Sequence, residues 1–174
     1  MQQDKVADER KRIMFEKFGE MDSYREINEL AENLFNEGDY ESIKVLAKEN
    51  GIGEDFVDLF LRAEEPELCN EFYAAFGKLD VESSELKPKG IMLDWVDYIK
   101  AQCFENDKMA FAVRRKGKSL NECIGMLLKW SFENQMPIDN KILNAAGVKA
   151  GRVTLGIPNM GTAKKIIREY YLGK

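Results

Sequence analysis

Apolar side chains recur at intervals of three and four along nearly the whole chain, and glycine or proline interrupts each run after a few turns. That spacing places one stripe per segment on the face of a 3.6-residue helix. It leaves little room for the strict alternation a half-buried strand requires. Ile27, Leu30, Ala31, Leu34 and Phe35 form the clearest stripe. Ser23 stands three residues before Glu26, a capping box, and Gly38 follows as a stop. The same grammar predicts a helix from about Asp39 to Asn50 and another from Glu54 to Ala63. Short helices joined by glycine-containing turns favour antiparallel neighbours.

Further along, Ile91, Met92, Trp95, Val96, Ile99 and Cys103 line one side of a helix, which makes Trp95 a core residue. A short helix is expected over Asp107–Lys116, ending at Gly117. Ser119 and Glu122 then open a helix through Leu120, Ile124, Leu127, Leu128 and Phe132, which Pro137 ends. Asp139 starts the next, with Ile138 and Leu143 as a hydrophobic staple and Gly147 as its stop. The last runs from about Met160 to Leu172, and residues 153–157 are a candidate extended piece. The expected fold class is all-α, a multi-helix bundle of short helices.

Residues 77–90 contain Gly77, Ser83, Ser84, Pro88 and Gly90, so they are expected to be a linker. It would divide an acidic helical region, 1–76, from a basic helical domain, 91–174. Residues 1–20 are charged with a thin apolar set (Ile13, Met14, Phe15, Phe18), the pattern of a partly exposed helix or arm. They lack the apolar core of a secretory leader. Three cysteines, Cys69, Cys103 and Cys123, form an odd count without Cys-x-x-Cys spacing, which points to a reducing, cytoplasmic setting.

The chain has no histidine. That removes the commonest general base and metal ligand. The scattered cysteines offer no zinc ligand set, and Gly147-Val-Lys-Ala-Gly151 lacks the spacing of a phosphate-cradling P-loop. Carboxylate neighbours such as Asp55 and Asp58, or Glu64 and Glu65, read as solvated helix faces. The expectation is a protein that binds rather than catalyses, with no cofactor and no metal.

Charge supplies the positive signal. Residues 1–107 hold 13 basic and 27 acidic side chains, a net of −14, whereas residues 108–174 hold 13 basic and 4 acidic, a net of +9. The overall −5 conceals this division. A basic surface attracts polyanions, and an acidic one repels or imitates them. The cations fall in three clusters: Lys108, Arg114, Arg115, Lys116 and Lys118; Lys149 and Arg152; and Lys164, Lys165 and Arg168 on the polar face of the last helix. Omitting Lys108, these are the candidate contacts to a partner or a phosphate backbone. The competing reading is that they answer the acidic region within the molecule. A helix-turn-helix pattern also suggests itself, with Gly147 in the turn, Val148 and Val153 after it and Ile142 before it. Leu143 stands where that pattern has a small residue, and Gly151, Gly156 and Pro158 oppose a long recognition helix.

Asp107-Lys-Met-Ala-Phe-Ala112, Lys118 and the Asn121-Glu-Cys123-Ile run through Leu127 resemble the core of the PcfK-like proteins of conjugative plasmids and integrative elements. The segments Leu30–Asp39, Leu86-Lys-Pro88 and Lys164–Tyr171 are similar to clostridial mobile-element proteins, some of which are anti-CRISPRs that inhibit type II-A Cas9. The resemblance implies a non-enzymatic inhibitor from a mobile element or phage, with Cas9 and its guide RNA complex as partner. Cas9 holds a guide–target heteroduplex in a positively charged channel, so carboxylates placed like phosphates would compete there. The long acidic N-terminal region departs from the PcfK-like pattern. The alternative is a DNA-binding accessory or regulatory protein of a conjugative element, using the degenerate helix-turn-helix.

Overall fold

A computed structural model describes residues 15–173. Ile13 and Met14 of the expected arm lie outside them. The chain is all-α: among the described residues there are nine helices and one two-stranded ribbon. No helix among them is long and apolar enough to cross a membrane. The chain divides into two compact units, Met1–Asn121 and Glu122–Lys174.

The first unit begins with α1 (Tyr24–Glu37), α2 (Tyr40–Glu49) and α3 (Glu54–Leu61). Ser23 caps α1 by accepting from the Glu26 amide, and Gly38, at φ +76°, closes it in the left-handed conformation. Ile27, Ala31, Ile43, Leu46, Val57 and Phe60 meet in the core these helices share. Each large member that is fully buried contributes about 1.5–3 kcal/mol relative to exposure. The Asn28 side chain bonds both the carbonyl and the amide of Cys69, at 2.8 and 3.1 Å, and so fastens the loop after α3 back onto α1.

The structure corrects the expected linker. Residues 77–86 belong to α4 (Glu71–Leu86), capped by Asn70, and the break is confined to the turn before α5 (Ile91–Glu105). Ala74, Ala75, Lys78, Leu79 and Glu82 are buried along α4. The helix packs most extensively on α6 (Asp107–Arg114) and also on α5. Gly77 and the paired serines resemble linker composition, but Gly77 is there for close approach. A Cβ on it would run into the backbone carbonyl of Asn50, and one on Gly51 would run into the carbonyl of Gly77. The end of α2 therefore crosses α4 backbone to backbone. The unit boundary falls at residue 121, so α5 and α6 belong with the acidic helices. Trp95 is buried as expected.

The second unit holds α7 (Leu120–Glu133, whose first two residues lie in the first unit), α8 (Asn140–Ala145) and α9 (Met160–Leu172). Between them, β1 (Met136–Pro137) pairs antiparallel with β2 (Thr154–Leu155), with Met136 opposite Leu155. Cys123, Ile124, Leu127, Leu143, Ala163, Ile167 and Tyr171 are among its buried residues. The Tyr170 hydroxyl donates to Glu122 Oε2 at 2.6 Å and ties α9 to α7. Gly156 lies so close to the Ser131 carbonyl and the Gln135 side chain that a Cβ there would collide with both.

Candidate binding surfaces

The first cation cluster does not stand on the surface as a group. Arg114, an expected partner contact, is 1% exposed. The reason is positional: it ends α6 on the face that packs inward, next to Val113 and one turn after Ala110. Its Nη2 donates to Asn50 Oδ1 at 2.5 Å, and its guanidinium lies 5.8 Å from the Phe15 ring centre. Its Nε and Nη1 are buried without a hydrogen-bond partner. Burial lowers its pKa, opposed chiefly by the charge of Glu20, and an arginine stays protonated all the same.

Lys78 is the centre of this charged core. It is fully buried, and its Nζ donates to Glu20 Oε1 at 2.7 Å and to the carbonyls of Arg115 and Lys118 at 2.9 and 2.7 Å. Three acceptors satisfy all three protons of the ammonium. Burial holds its pKa below the ordinary lysine value, against the pull of Glu82 and Glu20. One turn along α4, Glu82 accepts from the Leu120 amide at 3.0 Å. Burial raises its carboxyl from an ordinary 4.5 to about 7, against the pull of Lys78.

These contacts shape the turn between α6 and α7. Lys78 holds its carbonyls from inside, while the Lys116 amide donates to Asp22 Oδ1 at 2.9 Å and the Gly117 amide to Glu20 Oε2 at 3.4 Å. Gly117 takes φ +81°, which a side chain would resist. Arg115 and Lys116 remain exposed and Lys118 is half-buried. Part of the basic region thus answers the acidic region within one unit. With the boundary at 121, the net charges are −9 for residues 1–121 (18 basic, 27 acidic) and +4 for residues 122–174 (8 basic, 4 acidic).

The second and third clusters stay at the surface. Lys149 and Arg152 are exposed in the segment leading to β2. On α9, Lys165 and Arg168 are exposed and Lys164 is half-buried, opposite the buried Ala163 and Ile167. Lys165 pairs with Glu169 at 3.7 Å across one turn, an exposed pair worth little in stability. The first unit shows the opposite sign: Glu29, Glu32 and Glu37 on α1 and Glu54, Asp55 and Asp58 on α3 are all exposed.

The helix-turn-helix expectation is corrected. Gly147 does end α8, at φ +65°, but the chain then runs irregularly into β2, and no helix opens before Met160. Ile142 is 61% exposed and Val148 44%, so neither packs as that motif requires. The glycines and proline of 151–158 explain the outcome, since they disfavour the missing helix. All three cysteines are buried and none forms a disulfide, and burial pushes the thiols of Cys69 and Cys103 up to about 12, which leaves those two unreactive. Among the described residues, no group of three or more histidine, cysteine or carboxylate side chains is placed to hold a metal ion.

No protein-family profile, no curated protein and no solved structure matches the chain. The likeness to PcfK-like and anti-CRISPR proteins therefore rests on the short segments quoted above.

Proposed function

We propose that the protein is a non-enzymatic, stoichiometric inhibitor from a mobile genetic element or phage, which binds Cas9, with or without guide RNA, and prevents DNA targeting or cleavage. The observation that carries this reading is the division of exposed charge. One compact unit presents carboxylates on α1 and α3, and the other presents Lys149, Arg152, Lys165 and Arg168. The carboxylates suit a channel built for phosphates, and the cations suit guide RNA or an acidic protein surface. The segment resemblance selects Cas9 among polyanion-handling partners.

The test is a cleavage assay in which the protein is titrated against guide-loaded Cas9, with a pull-down at moderate salt. Inhibition should saturate at a fixed molar ratio without turnover. Absence of both binding and inhibition overturns the proposal. A mobility shift on DNA alone, steeply weakened by salt, would instead favour a DNA-binding accessory protein. That protein would use α9 rather than a helix-turn-helix.

A further inference from the structure

Two surface grooves of the first unit flank the loop that follows α3. One, of about 350 Å³, is lined by Glu32 and Phe35 of α1, Phe60 of α3, and Glu64 and Glu65 of the loop. The other, of about 260 Å³, is lined by Phe56 and Leu59 of α3, Glu65 and Glu67 of the loop, and Tyr73 of α4. Glu65 is common to both. Each groove has an aromatic pair in its wall. The rings of Phe35 and Phe60 meet edge to face at 5.6 Å, and those of Phe56 and Tyr73 lie 4.4 Å apart. The backbone fixes the loop between the grooves: Ala63 takes φ +54°, and the amides of Glu64 and Glu65 both donate to the Leu59 carbonyl, at 3.0 and 3.4 Å. Glu65 is thereby held where the grooves meet before any ligand arrives.

The linings select the occupant. Among the described residues, no lysine or arginine lines either groove. The four glutamates are exposed, so each can turn its carboxylate over the cavity it borders. Glu65 and Glu67 form no salt bridge among the described residues. The cations nearby have other contacts: Arg62 pairs with Glu64 at 3.4 Å, and Arg25, which feels the charges of Glu67 and Glu71, bonds the Tyr24 hydroxyl. Residues 54–71 hold seven acidic side chains and one basic, so a phosphate is repelled. The volumes stand near or below the lower end of the roughly 300–1,000 Å³ of small-molecule sites, which suits single side chains. A guanidinium meets both features at once, because its plane stacks on an aromatic ring while its N–H fork pairs with a carboxylate. An ammonium supplies the charge without the plane.

We propose that these two grooves are docking sites for arginine side chains of a basic segment on the partner protein. The proposal rests on the reading of this chain as a Cas9 binder for the identity of that partner. It narrows the contact made by the acidic unit to the loop around Glu65.

The experiment compares the full chain with E65Q/E67Q, Y73L and the control E29Q/E37Q for binding to guide-loaded Cas9 at low salt. In parallel, ¹⁵N-labelled wild type is titrated by NMR with the peptide acetyl-Gly-Arg-Gly-Arg-Gly-amide and with its lysine counterpart. The substituted glutamates are exposed, so circular dichroism and melting temperature should stay close to wild type. Should E65Q/E67Q misfold, E67Q alone replaces it. E65Q/E67Q should weaken Cas9 binding by about tenfold, and Y73L by about two- to fivefold through loss of a ring face. The control removes as many charges from α1, outside both linings, and should stay within about twofold of wild type. The arginine peptide should move amide signals of residues 56–73 more than the lysine peptide does.

Cas9 binding that E65Q/E67Q leaves undiminished overturns the grooves and leaves the Cas9 reading standing. A loss as large in E29Q/E37Q shows unspecific attraction and also overturns them. Peptide shifts confined to residues 56–73, without wild-type binding to Cas9, support the grooves and overturn the Cas9 reading. Neither peptide shifts nor Cas9 binding overturns both. Self-association of the wild type that E65Q/E67Q abolishes makes a second copy the occupant and overturns this assignment.

Discussion

Cations of the same chemistry meet opposite fates in the two units. In the first, Lys78 and Arg114 are taken wholly out of water: Glu20 and two backbone carbonyls satisfy Lys78, whereas Asn50 accepts one bond from Arg114, whose Nε and Nη1 have no hydrogen-bond partner. In the second, Lys149, Arg152, Lys165 and Arg168 stay in solvent with at most one weak ion pair. A buried charge contributes through completeness of its partners, and removing one partner strands the others. An exposed charge contributes little to stability and remains free to act on something else. Charge counting along a sequence treats the two alike, and burial decides between them.

The sharpest way to break this contrast is Lys78→Ala. It should destabilise the protein by about 3–5 kcal/mol, because Glu20 and two carbonyls lose their buried donor. Urea unfolding at pH 7.5 measures it, and a loss below about 1 kcal/mol would show the charged core to be incidental. Gly77→Ala comes next, at about 3 kcal/mol, since the added methyl meets backbone that no rotamer change can move. An unchanged denaturation midpoint would mean the helices separate freely at that crossing.

Glu82→Gln sharpens the comparison through pH. The carboxyl pKa is raised from 4.5 to about 7 in the folded protein. Between those values the folded state therefore holds more protons than the unfolded one, and the stability due to this group falls as pH rises through the window. The full excursion is at most about 3 kcal/mol, at 1.36 kcal/mol per pH unit. Glutamine does not titrate, so the variant should lose that component of the slope between pH 4.5 and 7. A profile parallel to wild type would count against it. The smallest effect on folding belongs to K165E/R168E, expected within about 0.5 kcal/mol of wild type, although the same change should weaken binding at low salt.

Where a feature depends on near neighbours, the sequence was readable. Ser23 capping Glu26, Gly38 ending α1 and Gly147 ending α8 are decided within four residues. The all-α class follows from the stripes those signals bound. The misreadings come from contacts between distant residues. Gly77 looks like linker until Gly51 is found against it, and Lys78 falls in the same expected linker until Glu20, 58 residues away, is found bonded to it. A local signal was nevertheless available: Ala74, Lys78 and Glu82 repeat at four-residue spacing, and Ala75 and Leu79 do the same. That is the signature of a packed helix. Of the nine cations singled out, Arg114 was misplaced because an arginine on an inward helix face has the same letter as one outside. Phe132, Met136, Leu155 and Ile157 are exposed, and apolar spacing alone does not say which residues are left uncovered.

The crossing of Gly51 and Gly77 has a consequence for how this protein can change. A tight contact between two side chains can be relieved by shrinking either one, so a bulky change at one site is rescued by a smaller residue at the other. Here both sites already carry the smallest residue there is, and what each would strike is main chain. No reciprocal exchange exists. A suppressor of either substitution must shift a whole helix, so it should map to the surrounding core rather than to the crossing itself.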